Sequence, residues 1–432
     1  MKNRSKDIIV IGFALFAMFF GAGNMIFPPK LGLETGSQWA LGFASFTFAD
    51  AGLALLTILA LIRGTGSFEH LARRAGRFPA AFLGLCVFLC VGPLMAIPRT
   101  AASTFELAVA PIFHTDGRVL FSIFFFAVAF VLAARPSKVI DIIGKFLTPA
   151  LYVALLVMIF QGILHPMGRP EAAAGAAEVF ATGIKAGYQT MDVFGAVIFN
   201  VLVASALAQR RYQGKEALKT AAWAGLVAVV GLTVVYGGLA YLGACASGVY
   251  DKSIGQSQLL LSVMETIMGR SGVVLLGIVV ALACLTTAVG LTSAAASYFS
   301  GLTRGKVGEV PFAAAICVFS AAVSNAGIDS IVAFSAPVLT VIYPAVLTLI
   351  ALSFFDEKIK NDWVVRLATL GALVASLLKA LSNWVPALGF INRLPLDSLD
   401  FGWLAPAVLC GLLGLLIPMK QTEEKRRESV RR

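Results

Sequence analysis

Charge is scarce in this chain. Of its 432 residues only 13% are Asp, Glu, Lys or Arg, against 59% hydrophobic, and the mean hydropathy is +0.87. A soluble domain carries about a quarter charged residues, so that class is excluded. Histidine is nearly missing: His70, His114 and His165 fall near loops with no metal-ligand spacing. The six cysteines, Cys86, Cys90, Cys245, Cys284, Cys317 and Cys410, contain no CxxC pair and sit mostly in apolar runs, which reads them as packing residues. No glycine-rich phosphate loop and no serine nucleophile elbow occurs. An enzyme reading has no residues to rest on, and no cofactor is expected.

What the chain has is apolar length. About twelve stretches near the roughly 20 residues needed to cross about 30 Å of hydrocarbon lie at 8–33, 39–62, 78–104, 118–134, 139–164, 188–208, 220–244, 272–301, 311–327, 331–355, 363–384 and 401–419. The expected fold class is therefore an all-α membrane protein. The longest stretches between spans are His165–Gly187 and Ala246–Ser271, so no soluble domain is expected. No cleavable signal peptide is evident, because the first apolar segment runs on past a small-residue site.

Net charge is +11, from 34 basic and 23 acidic residues. The basic residues fall in alternate loops, which makes them a topology signal and not a nucleic-acid surface. With the N-terminus placed in the cytoplasm, 25 lie on its side, from Lys2, Arg4 and Lys6 to the tail Lys425-Arg426-Arg427 and Arg431-Arg432. Seven lie on the other: Lys30, Arg118, Arg169, Lys185, Lys252, Arg270 and Arg393. That split predicts both termini inside and an even number of spans. The tail reads as a solvated, lipid-facing charge run.

Two apolar segments are interrupted. Gly21-Ala22-Gly23-Asn24 stands in the middle of the first, with Pro28-Pro29 close behind. Glycine and proline are poor material for a continuous helix. Hydrocarbon tolerates freed backbone groups only where they line a cavity or coordinate something. The second interruption runs from Tyr188 through Asp192 to Gly195. Matching breaks at the start of two five-span groups point to an inverted repeat: 7–164, then 188–355 upside down, with helices at 362–419 appended and a tail at 420–432. Four ionisable residues fall at membrane depth: Asp50, Arg99, Asp192 and Lys379. Such residues are costly there and mark function by default. Arg99 shares a helix face with Glu106, and Arg99–Glu106 or Arg99–Asp192 reads as a gate pair or, equally, a structural ion pair. Asp50 is a candidate for gating or coupling. Lys379 is expected to snorkel toward a span end.

Four stretches carry a family resemblance. Residues 12–29, Gly92-Pro93-Leu94-Met95-Ala96-Ile97-Pro98-Arg99-Thr100, Gly187-Tyr188-Gln189-Thr190-Met191-Asp192 and Leu282-Ala283-Cys284-Leu285-Thr286-Thr287-Ala288-Val289-Gly290-Leu291 resemble the first, third, sixth and eighth helices of the bacterial branched-chain amino acid:cation symporters. The match runs the whole chain in order. The resemblance implies the leucine-transporter type of five-plus-five fold. It also implies import of L-leucine, L-isoleucine and L-valine across the bacterial inner membrane, with Na⁺ as coupling ion.

Residue by residue, the half-helix N-terminus at Gly21, Ala22, Gly23 and Asn24 would take the substrate carboxylate. Asp192 and Gly195 at the second break would complete the substrate site, with Asp192 either facing the ammonium group or holding the unwound segment. Na⁺ ligands would be the carbonyls of Ala17, Phe20 and Ala283 and the hydroxyls of Thr286 and Thr287. On composition alone, those two hydroxyls would more often bond back to their own helix. A proton-coupled symporter using Asp50 or Asp192 is the nearest alternative. An ion channel and a polytopic enzyme lie further off. Membrane lipid is an expected partner; nucleic acid is not, and protein partners are unreadable.

The charge split sets a topological test. A cysteine placed at Ser5 or at Ser429 should resist a membrane-impermeant thiol reagent added to intact cells, and labelling of either from outside would invert the assigned orientation.

Overall fold

The computed structural model describes residues 4–64, 68–134, 148–172, 175–356, 358–382 and 384–418, and every regular element among them is helical. The first span is α1 (Arg4–Phe19) and α2 (Ala22–Thr35), separated by Phe20 and Gly21. Next come α3 (Trp39–Thr47) and α4 (Leu53–Arg63), joined through a widened turn at Phe48–Gly52. After α5 (Phe68–Ala72), the segments α6 (Arg77–Leu89), α7 (Ala96–Thr104) and α8 (Ala110–Phe113) run on through two further widened turns, Cys90–Leu94 and Phe105–Val109. Helices α9 (Arg118–Ala133) and α10 (Thr148–Leu164) lead to the second interrupted span, α11 (Ala176–Thr190) and α12 (Asp192–Gln209). The remainder is α13 (Gly214–Cys245), α14 (Gln256–Leu302), α15 (Glu309–Ser324), α16 (Ile328–Ser353), α17 (Asp362–Ser382) and α18 (Leu404–Leu415). Among the described residues seven continuous helical runs are long and apolar enough to cross a bilayer, and four shorter apolar helices accompany them.

Helix α9 explains the composition. Ser122, Phe125, Phe126, Ala129 and Ala133 are buried, while Leu120 and Phe124 are 75% and 65% exposed. A helix apolar on its outward face suits lipid as its solvent.

Several boundaries differ from the sequence reading. Residues 176–187 are helical, so the sixth span starts a dozen residues earlier than expected, and 256–271 belongs to α14 up to a kink at Gly269. Pro28 and Pro29 lie inside α2 without breaking it. Their missing N–H groups free two carbonyls, and α13 packs against this stretch so closely that a Cβ on Gly243 would collide with the Pro29 carbonyl. Basic positions Arg135, Lys138, Lys145 and those of the tail lie outside the described residues.

The chain forms two compact units. The first comprises Met1–Leu59 and Val87–Ala336; the second, Ala60–Cys86 and Pro337–Arg432. In the second unit Arg74 binds Asp356, Asp362 at 2.8 Å and the Ile359 carbonyl at 2.6 Å. Lys379 is ion-paired with Asp397 at 2.5 Å and lies 3.4 Å from Asp400; a local carboxylate pair replaces the expected snorkelling.

In the first unit the interrupted spans are held by backbone-to-backbone approach. Gly183 and Gly187 are four residues apart on α11, one turn of the same face. A Cβ on Gly183 would overlap Ser45 Oγ and the Gly42 carbonyl; one on Gly187 would sit 2.7 Å from the Ala49 Cβ. Small residues at this spacing let membrane helices touch through their backbones. Gly183→Val should therefore overpack the α11–α3 contact and cost about 1–3 kcal/mol. The thermal unfolding midpoint of the purified protein in detergent reads this. Gly301→Ala, where nothing lies within 4 Å, is the control that should not fall.

Candidate functional site

Four helix ends meet in the first unit, and their terminal backbone groups need partners. Helix α1 stops at Phe19 and Phe20 N–H bonds to the Phe16 carbonyl at 2.8 Å, leaving the carbonyls of Ala17, Met18 and Phe19 without an intrahelical donor. Helix α2 starts at Ala22 with Gly21 extended before it and no side-chain cap. Between α11 and α12 a single residue turns the chain: Met191, at φ +64°, in the left-handed region that a non-glycine residue enters at a cost of about 1–3 kcal/mol. The second break is thus one residue wide. Gly195 lies outside it, already within α12, with its N–H on the Met191 carbonyl at 2.8 Å.

The two breaks are finished differently. At the second, the negative end of α11 is answered by Arg99, which donates from Nη1 to the Gln189 carbonyl at 2.8 Å and from Nη2 toward the Thr190 carbonyl at 3.4 Å. The positive end of α12 is answered by Asp192, its first residue. Each charge complements the dipole it faces. At the first break neither end has such a residue: α1 has no basic residue in its last turn and α2 no acidic one in its first. An uncapped positive end suits a carboxylate, and uncapped carbonyls suit a hard cation.

The candidate residues converge on this point. A Cβ on Gly21 would lie 3.4 Å from Thr287 Oγ1 on α14, and one on Gly23 would lie 2.6 Å from Arg99 Nη2 and 3.0 Å from the Phe27 ring. Arg99, 3% exposed, also places its guanidinium 5.3 Å from the centroid of that ring. Thr287 Oγ1 is buried and has no hydrogen-bond partner. Thr286 bonds back to the Ala283 carbonyl at 2.9 Å, leaving its lone pairs free to accept. Asn24 donates to Asp192 Oδ2 at 2.8 Å and to Tyr236 Oη at 2.5 Å. Asp50, 1% exposed on the widened turn after α3, lies 2.7 Å from Thr190 Oγ1 and adjoins Asp192. Among the described residues no three His, Cys, Asp or Glu side chains cluster into a metal cage.

Glu106 goes elsewhere. It sits in the widened turn Phe105–Val109, which shifts the helical register after Arg99. Its carboxylate meets Arg118 at 3.3 Å, Ser257 Oγ at 2.6 Å and Ile328 N–H at 3.1 Å. Lys30 on α2 donates to the carbonyls of Lys252 and Ile254 at 2.5 and 2.8 Å. In that loop the Ser253 hydroxyl and N–H hold the Asp251 carboxyl below the usual carboxylate range. Asp7 accepts from Arg210 and Tyr212 at 3.0 and 2.9 Å, joining α1 to the end of α12.

Sequence reasoning missed Tyr236, Thr190 and Ser335. Ser335 donates to Gln189 Oε1 at 3.0 Å, and the Tyr236 ring stacks with Phe20 and meets Phe46 edge-on. Thr190 stood within a quoted motif. Tyr236 carried a readable signal, a hydroxyl deep in an apolar span with a donor or acceptor to find.

Two broken helices joined through buried polar contacts, within an all-helical membrane-type fold, are the architecture of a membrane transporter. Solved structures with the same fold include the nucleobase-cation-symport-1 family transporter Mhp1 (TM-score 0.69, 14% identity, 98% of this chain and 96% of that one). They also include a Na⁺-coupled sialic acid symporter (0.61, 12%, 95% and 90%) and MhsT (0.53, 16%, 94% and 98%). The fold is thus of the leucine-transporter type. The chain belongs to the branched-chain amino acid transport protein family, whose profile matches residues 4–421. It is 35% identical to the branched-chain amino acid permease BraB of Bacillus subtilis, over 97% of this chain and 98% of that one. It is 36% identical to the branched-chain amino acid transport system 2 carrier protein of Pseudomonas aeruginosa, over 95% of each. To BrnQ of Escherichia coli it is 35% identical, over 96% of each. These relatives are permeases and carriers, not enzymes.

Gly23→Leu should abolish transport while leaving membrane insertion intact, because its side chain would displace Arg99 and fill the approach to the α2 N-terminus. Near-normal uptake of labelled leucine into cells that contain the variant would remove this break from the binding site.

Proposed function

We propose that this protein imports leucine, isoleucine and valine by Na⁺ symport across the bacterial cytoplasmic membrane, with both termini inside. The observation that carries this reading is the asymmetry of the breaks. Charges of the protein complete the second, while the first keeps an open positive end and open carbonyls within one unit of the fold. An amino acid and a monovalent cation are the pair of ligands that would complete it. The substrate carboxylate lies on the N–H groups that open α2, at Ala22, Gly23 and Asn24. Na⁺ takes the carbonyls of Ala17, Phe20 and Ala283 and the hydroxyls of Thr286 and Thr287. Thr287 Oγ1, buried and unpartnered beside Gly21, is the strongest support for that set. Neutral ligands suit an ion that must leave as readily as it binds.

The apolar surroundings, with Phe16, Phe20, Phe46 and Tyr236 packed ring to ring, favour a neutral aliphatic side chain. The names borne by the relatives agree with that substrate class. Binding of both ligands favours closure around the break, and release to the cytoplasm follows when the α1 side opens.

Thr287→Val keeps the shape and deletes the oxygen. Its Na⁺ half-saturation for leucine uptake should rise about tenfold to hundredfold, the effect of losing about 1.5–3 kcal/mol of ligation. Leucine affinity should recover at high Na⁺, because coupling between two sites is reciprocal. Thr286→Val should move in the same direction. Unchanged Na⁺ dependence in both variants, measured in proteoliposomes, would place the ion elsewhere.

A further inference from the structure

The polar contacts behind the second break leave one proton to be accounted for. Thr190 Oγ1 lies 2.6 Å from the Gly187 carbonyl and 2.7 Å from Asp50 Oδ1. Two oxygens at such a separation have a hydrogen between them. The threonine hydroxyl brings one hydrogen and the carbonyl brings none, so the second must come from Asp50. The remaining lone pair of Thr190 Oγ1 faces the Asp192 N–H at 3.4 Å. One hydrogen donated and two accepted is the full capacity of a hydroxyl.

Two further observations agree. Asp50 Oδ2 is buried and receives no hydrogen bond, which is tolerable for the C=O of a neutral acid and severe for half of a carboxylate. Asp50 also adjoins Asp192, and two carboxylates in contact do not both ionise. Asp192 is the natural bearer of the charge: it stands in the first turn of α12, at that helix's positive end, and accepts from Asn24 Nδ2. The other elements packed on the Asp50 turn bring few ionisable groups. Helix α3 has none. Helix α11 carries Glu178 and Lys185, both exposed, and Tyr188; α13 brings Tyr236, which meets Asn24.

We propose that Asp50 is a permanently protonated acid that donates its hydrogen to Thr190. It thereby leaves Asp192 as the one carboxylate of the network, matched by Arg99. Asp50 is a positioning residue: it fixes the Thr190 hydroxyl, and with it the last turn of α11. Its proton is part of the structure and is not carried across the membrane. This last statement rests on the sodium-coupled reading above; the assignment of the proton itself does not.

Infrared difference spectroscopy of the full-length protein in lipid tests the assignment. Wild type at neutral pH should show the C=O band of a protonated carboxylic acid that moves on ¹³C-aspartate labelling. The band should persist in Asp192→Asn and vanish in Asp50→Asn. A wild type without the band, or a band lost in Asp192→Asn, overturns the proposal whether or not the Asp50 variants fold. In transport, Asp50→Ala should lose leucine counterflow by about tenfold or more, and Asp50→Asn, whose amide can donate to Thr190, should rescue it with wild-type Na⁺ dependence. Failure of rescue by a folded Asp50→Asn protein counts against a donor role. If wild-type uptake follows pH and ignores Na⁺ while the band stays constant, the sodium reading falls and the assignment stands. If the band titrates together with uptake, Asp50 carries the transported proton and the assignment falls.

Discussion

A peptide group inside hydrocarbon has no water to bond to, and that constraint organises the first unit of this protein. Interrupting a membrane helix exposes donors on one side and acceptors on the other, each costing several kcal/mol if left bare. Arg99 and Asp192 settle the account at one interruption from within the chain. At the other, no side chain of the adjoining turns does so. On the function proposed above, a small dipolar solute and a cation complete that interruption in their place.

The contacts that hold the four helix ends together are of two kinds. Glycine-mediated approach brings α11 onto α3 and α13 onto α2 at distances that larger residues forbid. Hydrogen bonds then fix the polar side chains that this approach brings together: Asn24 between Asp192 and Tyr236, Thr190 between Asp50 and the Gly187 carbonyl. The rings of Phe16, Phe20, Phe46 and Tyr236 are buried and packed against one another, and a hydrogen bond in such an interior, like that of Asn24 to Tyr236, is stronger than in water.

Much of this was readable in advance, for identifiable reasons. The all-helical membrane class followed from apolar length, and the first interruption from Gly21 through Asn24, because both depend on local chemistry alone. Pro28-Pro29 misled, because whether a proline breaks a membrane helix depends on what packs beside it, here Gly243. The second interruption was placed too broadly: nothing local distinguishes Met191 from its neighbours, since its left-handed conformation is imposed by the helices on either side. Helical periodicity placed Glu106 beneath Arg99, but Glu106 sits in a widened turn, and the two side chains go to different partners. Tyr236 is 212 residues from Asn24 in sequence, a pairing that no single-sequence pattern encodes.

The junction at Met191 has a mechanical consequence. Helix α12 hangs from a single residue and is 18 residues long, so its far end lies about 27 Å from the pivot. A swing of about 10° there would carry that end about 5 Å sideways, roughly the rise of one helical turn. Arg210 and Tyr212 ride at that end with Asp7 in their grip. While those bonds last, the opening stretch of the chain moves as cargo on a lever whose fulcrum, Met191, is buried.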